Sequence, residues 1–275
     1  MTKKAAPTKP ILCRVTRRDH AKDPPRTETF EVDITPEATL HQLLAAIARN
    51  PTPRGGIRVV APAWDADCLE GSCGGCAIRA GGRAVLACAT RIDEVEKRRG
   101  AVVLEPLGVF PVVRDLIVDH AVRDRDIDAT SIPQPPIVPP RAKTTLTPHN
   151  EGGTDAKPDA KAPPTSSIAQ WERMALGACI ACGACLDACP EVRGDGGFVG
   201  AEAIVKNRRA HADPRTSPTD RGALDAALSR PGGISECGHA QNCIEVCPAD
   251  VPIALALSDA ARVATSRFLL GWLKR

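Results

Sequence analysis

Cys179-Ile-Ala-Cys182-Gly-Ala-Cys185-Leu-Asp-Ala-Cys189-Pro190 places four thiols within eleven residues. Three cysteines at two-residue spacing can wrap one iron–sulfur cubane, and the fourth, followed by proline, reaches a different cluster. Gly177, Ala178, Ala181, Gly183 and Ala184 keep the loop thin, so backbone can approach the sulfides closely. A four-thiolate zinc site is the competing use of such cysteines. It favours separated C-x2-C pairs rather than one dense run.

The destination of Cys189 is found further on. Cys237-x5-Cys243-x3-Cys247-Pro248 has the same frame with one cysteine missing, reading C-x2-A-x2-C-x3-C-P with Ala240 at a ligand position. Two-cluster proteins of this pattern exchange their last cysteines. Cys179, Cys182, Cys185 and Cys247 are then expected to hold a 4Fe–4S cluster. Cys189, Cys237 and Cys243 hold the other with three thiolates. A cubane corner lacking a thiolate is labile, which predicts 3Fe–4S; His239 or water as a fourth ligand is the alternative.

A third set lies upstream, Cys68-x4-Cys73-x2-Cys76-x11-Cys88. Its first three ligands have the spacing of a plant-type 2Fe–2S loop. Gly71, Ser72, Gly74 and Gly75 let N–H groups aim at the sulfurs. Around this loop the chain alternates like a sheet. Ile11–Val15 and Glu28–Ile34 read as an antiparallel pair. Leu40, Leu43, Leu44 and Ile47 share a helix face, opened by a Thr39/Gln42 capping box. Ile57–Val60, Cys76–Arg79, Ala84–Ala87 and Ala101–Glu105 read as further strands, with a Gly81-Gly82 turn. The N-terminal part is therefore predicted to be a β-grasp-like α+β domain over residues 10–130.

Ser131–Thr165 holds nine prolines in 35 residues and few large apolar side chains. It is expected to be an extended connector that cannot bury enough surface to order itself. Beyond it, residues 166–275 read as short helices between cysteine loops, over about Ile168–Ala178, Ala201–Arg209, Gly222–Ser229 and Ile253–Leu273.

The whole chain has 275 residues, 36 Lys and Arg against 33 Asp and Glu, a net charge of +3, and no tyrosine. That charge is too small to argue for nucleic acid, and so few aromatics exclude a base-stacking platform. No apolar run approaches a membrane span, and the basic start lacks the apolar segment of a secretory signal. A reducing compartment is therefore expected, where twelve cysteines serve as metal ligands rather than disulfides.

The chain resembles the iron–sulfur subunits of succinate dehydrogenase and fumarate reductase. The resemblance is carried by Cys68-Leu-Glu-Gly-Ser-Cys-Gly-Gly-Cys76, Val109-Phe-Pro-Val-Val-Arg-Asp-Leu-Ile117 and Cys179-Ile-Ala-Cys-Gly-Ala-Cys185. Gly238-His-Ala-Gln-Asn-Cys-Ile-Glu-Val-Cys-Pro248, Phe198-Val-Gly200 and Ala212-Asp-Pro-Arg215 extend it. It implies a ferredoxin-like β-grasp domain followed by a helical bacterial-ferredoxin-like domain. It also implies two kinds of partner, a flavoprotein subunit carrying FAD and a membrane anchor that binds quinone and haem. Electrons would pass between flavin and quinone through the 2Fe–2S, 4Fe–4S and 3Fe–4S clusters, with no bond chemistry in this chain. The implied location is peripheral, at the cytoplasmic face of a bacterial inner membrane.

Two features depart from the family pattern. Pro190-Glu-Val-Arg-Gly194 carries no tryptophan, and His239 stands one residue later than the histidine of relatives. The ubiquinone pocket is therefore not carried over, and a menaquinone-type enzyme fits better. Other iron–sulfur subunits, such as those of thiol-linked fumarate reductases or heterodisulfide-reductase-like systems, and a free-standing ferredoxin are the alternative functions. Cys13 reads as a small core residue, and Trp64 as packing behind the first loop. Arg267-Phe-Leu-Leu-Gly-Trp-Leu-Lys-Arg275 suits either a membrane-interface contact or a last helix packed on its own domain.

Overall fold

A computed structural model describes residues 8–131, 167–192 and 197–273. Most of the expected connector, residues 131–165, lies outside these. The strands β1 (Lys9–Arg17) and β2 (Arg26–Ile34) pair antiparallel along their full length. Helix α1 (Leu40–Arg49) follows, and both arms of the Thr39/Gln42 capping box are made. Its apolar face, Leu40, Leu43, Leu44 and Ile47, is buried on the sheet.

The hairpin β3 (Ala77–Ala80) and β4 (Arg83–Leu86) turns at Gly81-Gly82, both at positive φ. β5 (Val102–Glu105) runs parallel to β1 and antiparallel to β3, giving the order β2-β1-β5-β3-β4. The expected strand at Ile57–Val60 does not form. Ile57 is 88% and Val60 67% exposed. The segment is held from outside the sheet instead, by Val59 N–H on the Pro51 carbonyl at 2.8 Å and by Arg17 on the Val60 carbonyl at 3.0 Å.

A small ribbon, β6 (Val112–Arg114) and β7 (Ile117–Val118), precedes helix α2 (Ala121–Thr130). None of the three was legible as an element, being short or weakly amphipathic.

β1 buries every second residue, Ile11, Cys13, Val15 and finally Arg17. Burial pushes the Cys13 thiol up to about 12, consistent with a core role. The same alternation drives Arg17 inside, where it must be neutralised. Asp115, fully buried, accepts from Arg17 Nε at 2.9 Å, from Arg18 N at 2.9 Å and from Ala63 N at 2.8 Å. Glu28 takes a second Arg17 nitrogen. This knot fixes the approach to the first cysteine loop. Asp115→Ala should destabilise the protein by about 3–5 kcal/mol, the usual cost of leaving one buried partner unpaired. Urea unfolding followed by circular dichroism measures it, and a loss below about 1 kcal/mol would contradict the role given to Asp115.

The C-terminal part is helical. It comprises α3 (Ser167–Leu176), α4 (Ala184–Asp187), α5 (Gly200–His211), α6 (Pro218–Leu228), α7 (Asn242–Glu245) and α8 (Ile253–Leu273). α6 starts four residues before the Gly222 read from the sequence, because Ser217 caps it, accepting from Asp220 N at 3.1 Å, and Pro218 opens its first turn. Leu176, Ile204, Val205, Leu228, Ile253 and Ala256 form its core. The near half of α8 packs there; Phe268, Leu269, Leu270, Trp272 and Leu273 at its far end are exposed.

The two parts share a seam. α4 inserts Ala184 and Leu186 into the core of the N-terminal sheet domain. α2 lies against α5, and Asn207 Nδ2 donates to the Thr130 carbonyl at 2.6 Å. Asp187, side chain buried, accepts from Arg79 Nε at 2.8 Å and from Gly108 N at 2.5 Å.

Candidate metal centres

The first loop gathers Cys68, Cys73, Cys76 and Cys88. Leu69, Gly71 and Gly74 take positive φ, which curls the backbone around the thiols. Gly71 N–H points at Cys88 Sγ at 3.3 Å, and those of Glu70 and Ser72 at Cys68 Sγ at 3.4 Å. Cys76 and Cys88 sulfurs lie 3.2 Å apart, brought together by the β3–β4 hairpin, and Cys73 reaches Cys68. The Ser72 hydroxyl and these N–H groups pull the Cys68 thiol down to about 6. Burial pushes Cys76 up to about 11. Cys73 is exposed, at the outer face of the molecule. Trp64 packs against the core of the sheet domain, its Nε1 donating to His41 Nδ1 at 3.3 Å.

The other seven cysteines divide between two cavities. Cys179, Cys182, Cys185 and Cys247 line one, with Ile180, Val205 and Ile253. Cys189, Cys237 and Cys243 line the other, of about 160 Å³, with His239 and Ala240. Helices α4 and α7 make this division. α4 carries Cys185 toward one cavity and leads to Cys189 in the other. α7 carries Cys243 toward the second cavity and leads to Cys247 in the first, the reverse sense. Asn242 Nδ2 ties the two by donating to the Ala188 carbonyl at 3.0 Å.

The loops before these helices repeat one backbone shape. Ala181 (φ 55) and Gly183 (φ 77) precede α4; His239 (φ 54) and Gln241 (φ 61) precede α7. Each stands two and four residues after its first cysteine, which puts Ala240 in register with Cys182. Non-glycine residues adopt this region at a cost, so its recurrence at three of them reflects a loop shaped around a common object.

Burial pushes the Cys182 thiol up to about 11 and Cys185 well above the ordinary range, with Glu202 adding to both. Burial disfavours free thiolates here, so sulfurs ionised at this site need a bound metal centre to carry their charge. Among the described residues, no three His, Cys, Asp or Glu side chains are arranged to hold a single metal ion.

Two family models match the chain. A 2Fe-2S iron-sulfur cluster binding domain matches residues 12–124, and a 4Fe-4S dicluster domain matches residues 175–251. The succinate dehydrogenase iron-sulfur subunit of Bacillus subtilis is 31% identical over 250 residues, covering 91% of this chain and 90% of that one. The chain belongs to the succinate dehydrogenase and fumarate reductase iron–sulfur subunit family. The fumarate reductase iron-sulfur subunit of an Escherichia coli strain is 27% identical over 252 residues, covering 91% of each chain. A solved chain of the Mycobacterium smegmatis Sdh1 complex shares the fold, with a TM-score of 0.71 at 22% identity over 94% of this chain and 97% of that chain. As a family member the chain is an electron-transfer subunit of an oxidoreductase, with 2Fe–2S, 4Fe–4S and 3Fe–4S cofactors.

Three residues at these centres escaped sequence reading. Arg79 and Asp187 latch the first domain to α4, and no local pattern pairs residues 108 positions apart. Glu202 lines the four-cysteine cavity. Its only signal was an acid inside the otherwise apolar run Val199-Gly-Ala-Glu-Ala-Ile204.

Proposed function

We propose that this chain links the FAD of a flavoprotein subunit to quinone at a membrane anchor. The observation that carries this reading is the order of the three cysteine sets. Gly74 of the first loop lies against Cys182 of the second set, and the second and third sets share α4 and α7. In this reading Cys68, Cys73, Cys76 and Cys88 hold 2Fe–2S. Cys179, Cys182, Cys185 and Cys247 hold 4Fe–4S, and Cys189, Cys237 and Cys243 hold 3Fe–4S. When bound, these clusters supply one-electron transfer. The chain's own residues supply thiolates, N–H dipoles toward sulfur and exclusion of water. It has no catalytic residue.

Cys73 is exposed, and in this reading the first set is the one that turns toward the flavoprotein. In this reading the cavity of Cys189, Cys237 and Cys243 and the exposed apolar end of α8 turn toward the anchor, which binds quinone and haem. No described helix is long and apolar enough to cross a membrane. The family likeness supports peripheral attachment at the cytoplasmic face of a bacterial inner membrane. Residues 131–165 serve as the connector between a domain of residues 10–130 and one of residues 166–275.

Isolation of the intact complex tests this. It should contain about nine irons per copy of this chain, the sum of the three ligand sets, and should couple succinate oxidation or fumarate reduction to a quinone. Stoichiometric zinc, iron near two per chain, or the absence of a flavoprotein partner would overturn the reading.

A further inference from the structure

Glu202 sits on α5, 2% exposed as a residue, on the wall of the cavity ringed by Cys179, Cys182, Cys185 and Cys247. Neither carboxylate oxygen receives a hydrogen bond. Lys206 Nζ stands 2.9 Å from Oε1, one helical turn along, but outside hydrogen-bond geometry, and remains partly in solvent. Arg123 Nε is 4.0 Å away and donates to Asp124 Oδ1 at 3.0 Å, while its Nη1 is committed to the Ala181 carbonyl at 2.6 Å. The carboxylate is thus flanked by cations on one side and faces sulfur on the other. Burying a charge costs several kcal/mol, and nothing in the packing of α5 requires it, since Ala201, Ala203 and Ile204 fill the surrounding core.

A negative charge at a cluster wall acts on the one property that matters there. Net charge around an iron–sulfur cluster is among the determinants of its potential. In a water-poor cavity such a field is weakly screened. We infer that Glu202 is a potential-setting residue, holding the 4Fe–4S centre at a lower potential than its four thiolates alone would give. Lys206 and Arg123 moderate it. The inference rests on the proposed assignment of those four cysteines to the 4Fe–4S centre.

The test is an EPR-monitored redox titration of the intact complex at one pH, reading all three centres. In Glu202→Gln the reduction equilibrium of the 4Fe–4S centre should rise about tenfold, about 59 mV for one electron. The 2Fe–2S and 3Fe–4S centres should move less. Lys206→Gln removes a moderating cation from a partly exposed site and should shift the same centre the opposite way. A purely structural role would not produce opposite signs. If Glu202→Gln fails to assemble, Lys206→Gln decides: a downward shift supports the inference and no shift overturns it. Two shifts of the same sign, or none in either variant, also overturn it. Absence of a reduced 4Fe–4S signal from the unsubstituted complex would instead defeat the cysteine assignment, and the inference with it.

Discussion

Ala240→Cys is expected to remove the EPR signal of the oxidised 3Fe–4S centre. Ala240 lines the cavity of Cys189, Cys237 and Cys243. Its flanking residues repeat the backbone of the Cys182 loop, His239 for Ala181 and Gln241 for Gly183. A cysteine there would supply the missing corner thiolate and convert the centre to 4Fe–4S. An oxidised 3Fe–4S cluster has an odd electron count and is visible, whereas an oxidised 4Fe–4S cluster is silent. The added thiolate also brings negative charge, which lowers the potential. Transfer to quinone should therefore slow while flavin reduction by succinate persists. EPR of the oxidised variant together with stopped-flow flavin reduction checks both halves. A fully assembled variant with the native signal would show that residue 240 does not face the open corner, and that the set Cys189, Cys237, Cys243 is drawn wrongly.

Gly74→Ala should damage the seam where the first two cysteine sets meet. Gly74 has φ +77, and an added Cβ would stand 2.6 Å from the Ile180 carbonyl oxygen and 3.0 Å from Cys182 Cα and Cβ. Both contacts are with a loop shaped by its own thiols, so neither side can yield cheaply. The left-handed backbone costs roughly 1–2 kcal/mol for alanine. The forced contact adds roughly 1–3 kcal/mol, so the loss should be several kcal/mol in all. Lower recovery of both the 2Fe–2S and 4Fe–4S signals should accompany it. Gly222→Ala in α6 is the control, because its Cβ meets nothing within 4 Å. It should be neutral or stabilising by up to about 1 kcal/mol. Equal stability and cluster content in the two variants would remove the seam from the account.

The local features were legible. The Thr39/Gln42 capping box and the apolar face of α1 are properties of ten consecutive residues. α8 begins and ends at Ile253 and Leu273, as its pattern implied. The three cysteine frames, and Ala240 as the odd member of one, follow from spacing alone. Spacing fixes which thiols a single loop can present together. Where local signals were thin the reading failed. Ile57–Val60 has strand-forming residues but is held off the sheet by the Pro51 carbonyl and Arg17, and α6 begins earlier because its cap lies outside the apolar stretch.

Contacts between distant residues were decided by the tertiary structure. The parallel pairing of β5 with β1 brings Val102 beside Cys13, and no property of either segment names the other. Arg17 became a structural centre only because the pleat of β1 turned it inward, where Asp115 happened to be waiting. Asp187 acquired its role from Arg79 and Gly108 across the seam. Glu202 reads in sequence as one more charge on a helix. The packing of α5 against the cysteine loops withdrew it from water and set it beside sulfur, because burial and electrostatic field depend on the whole surrounding volume rather than on chain neighbours.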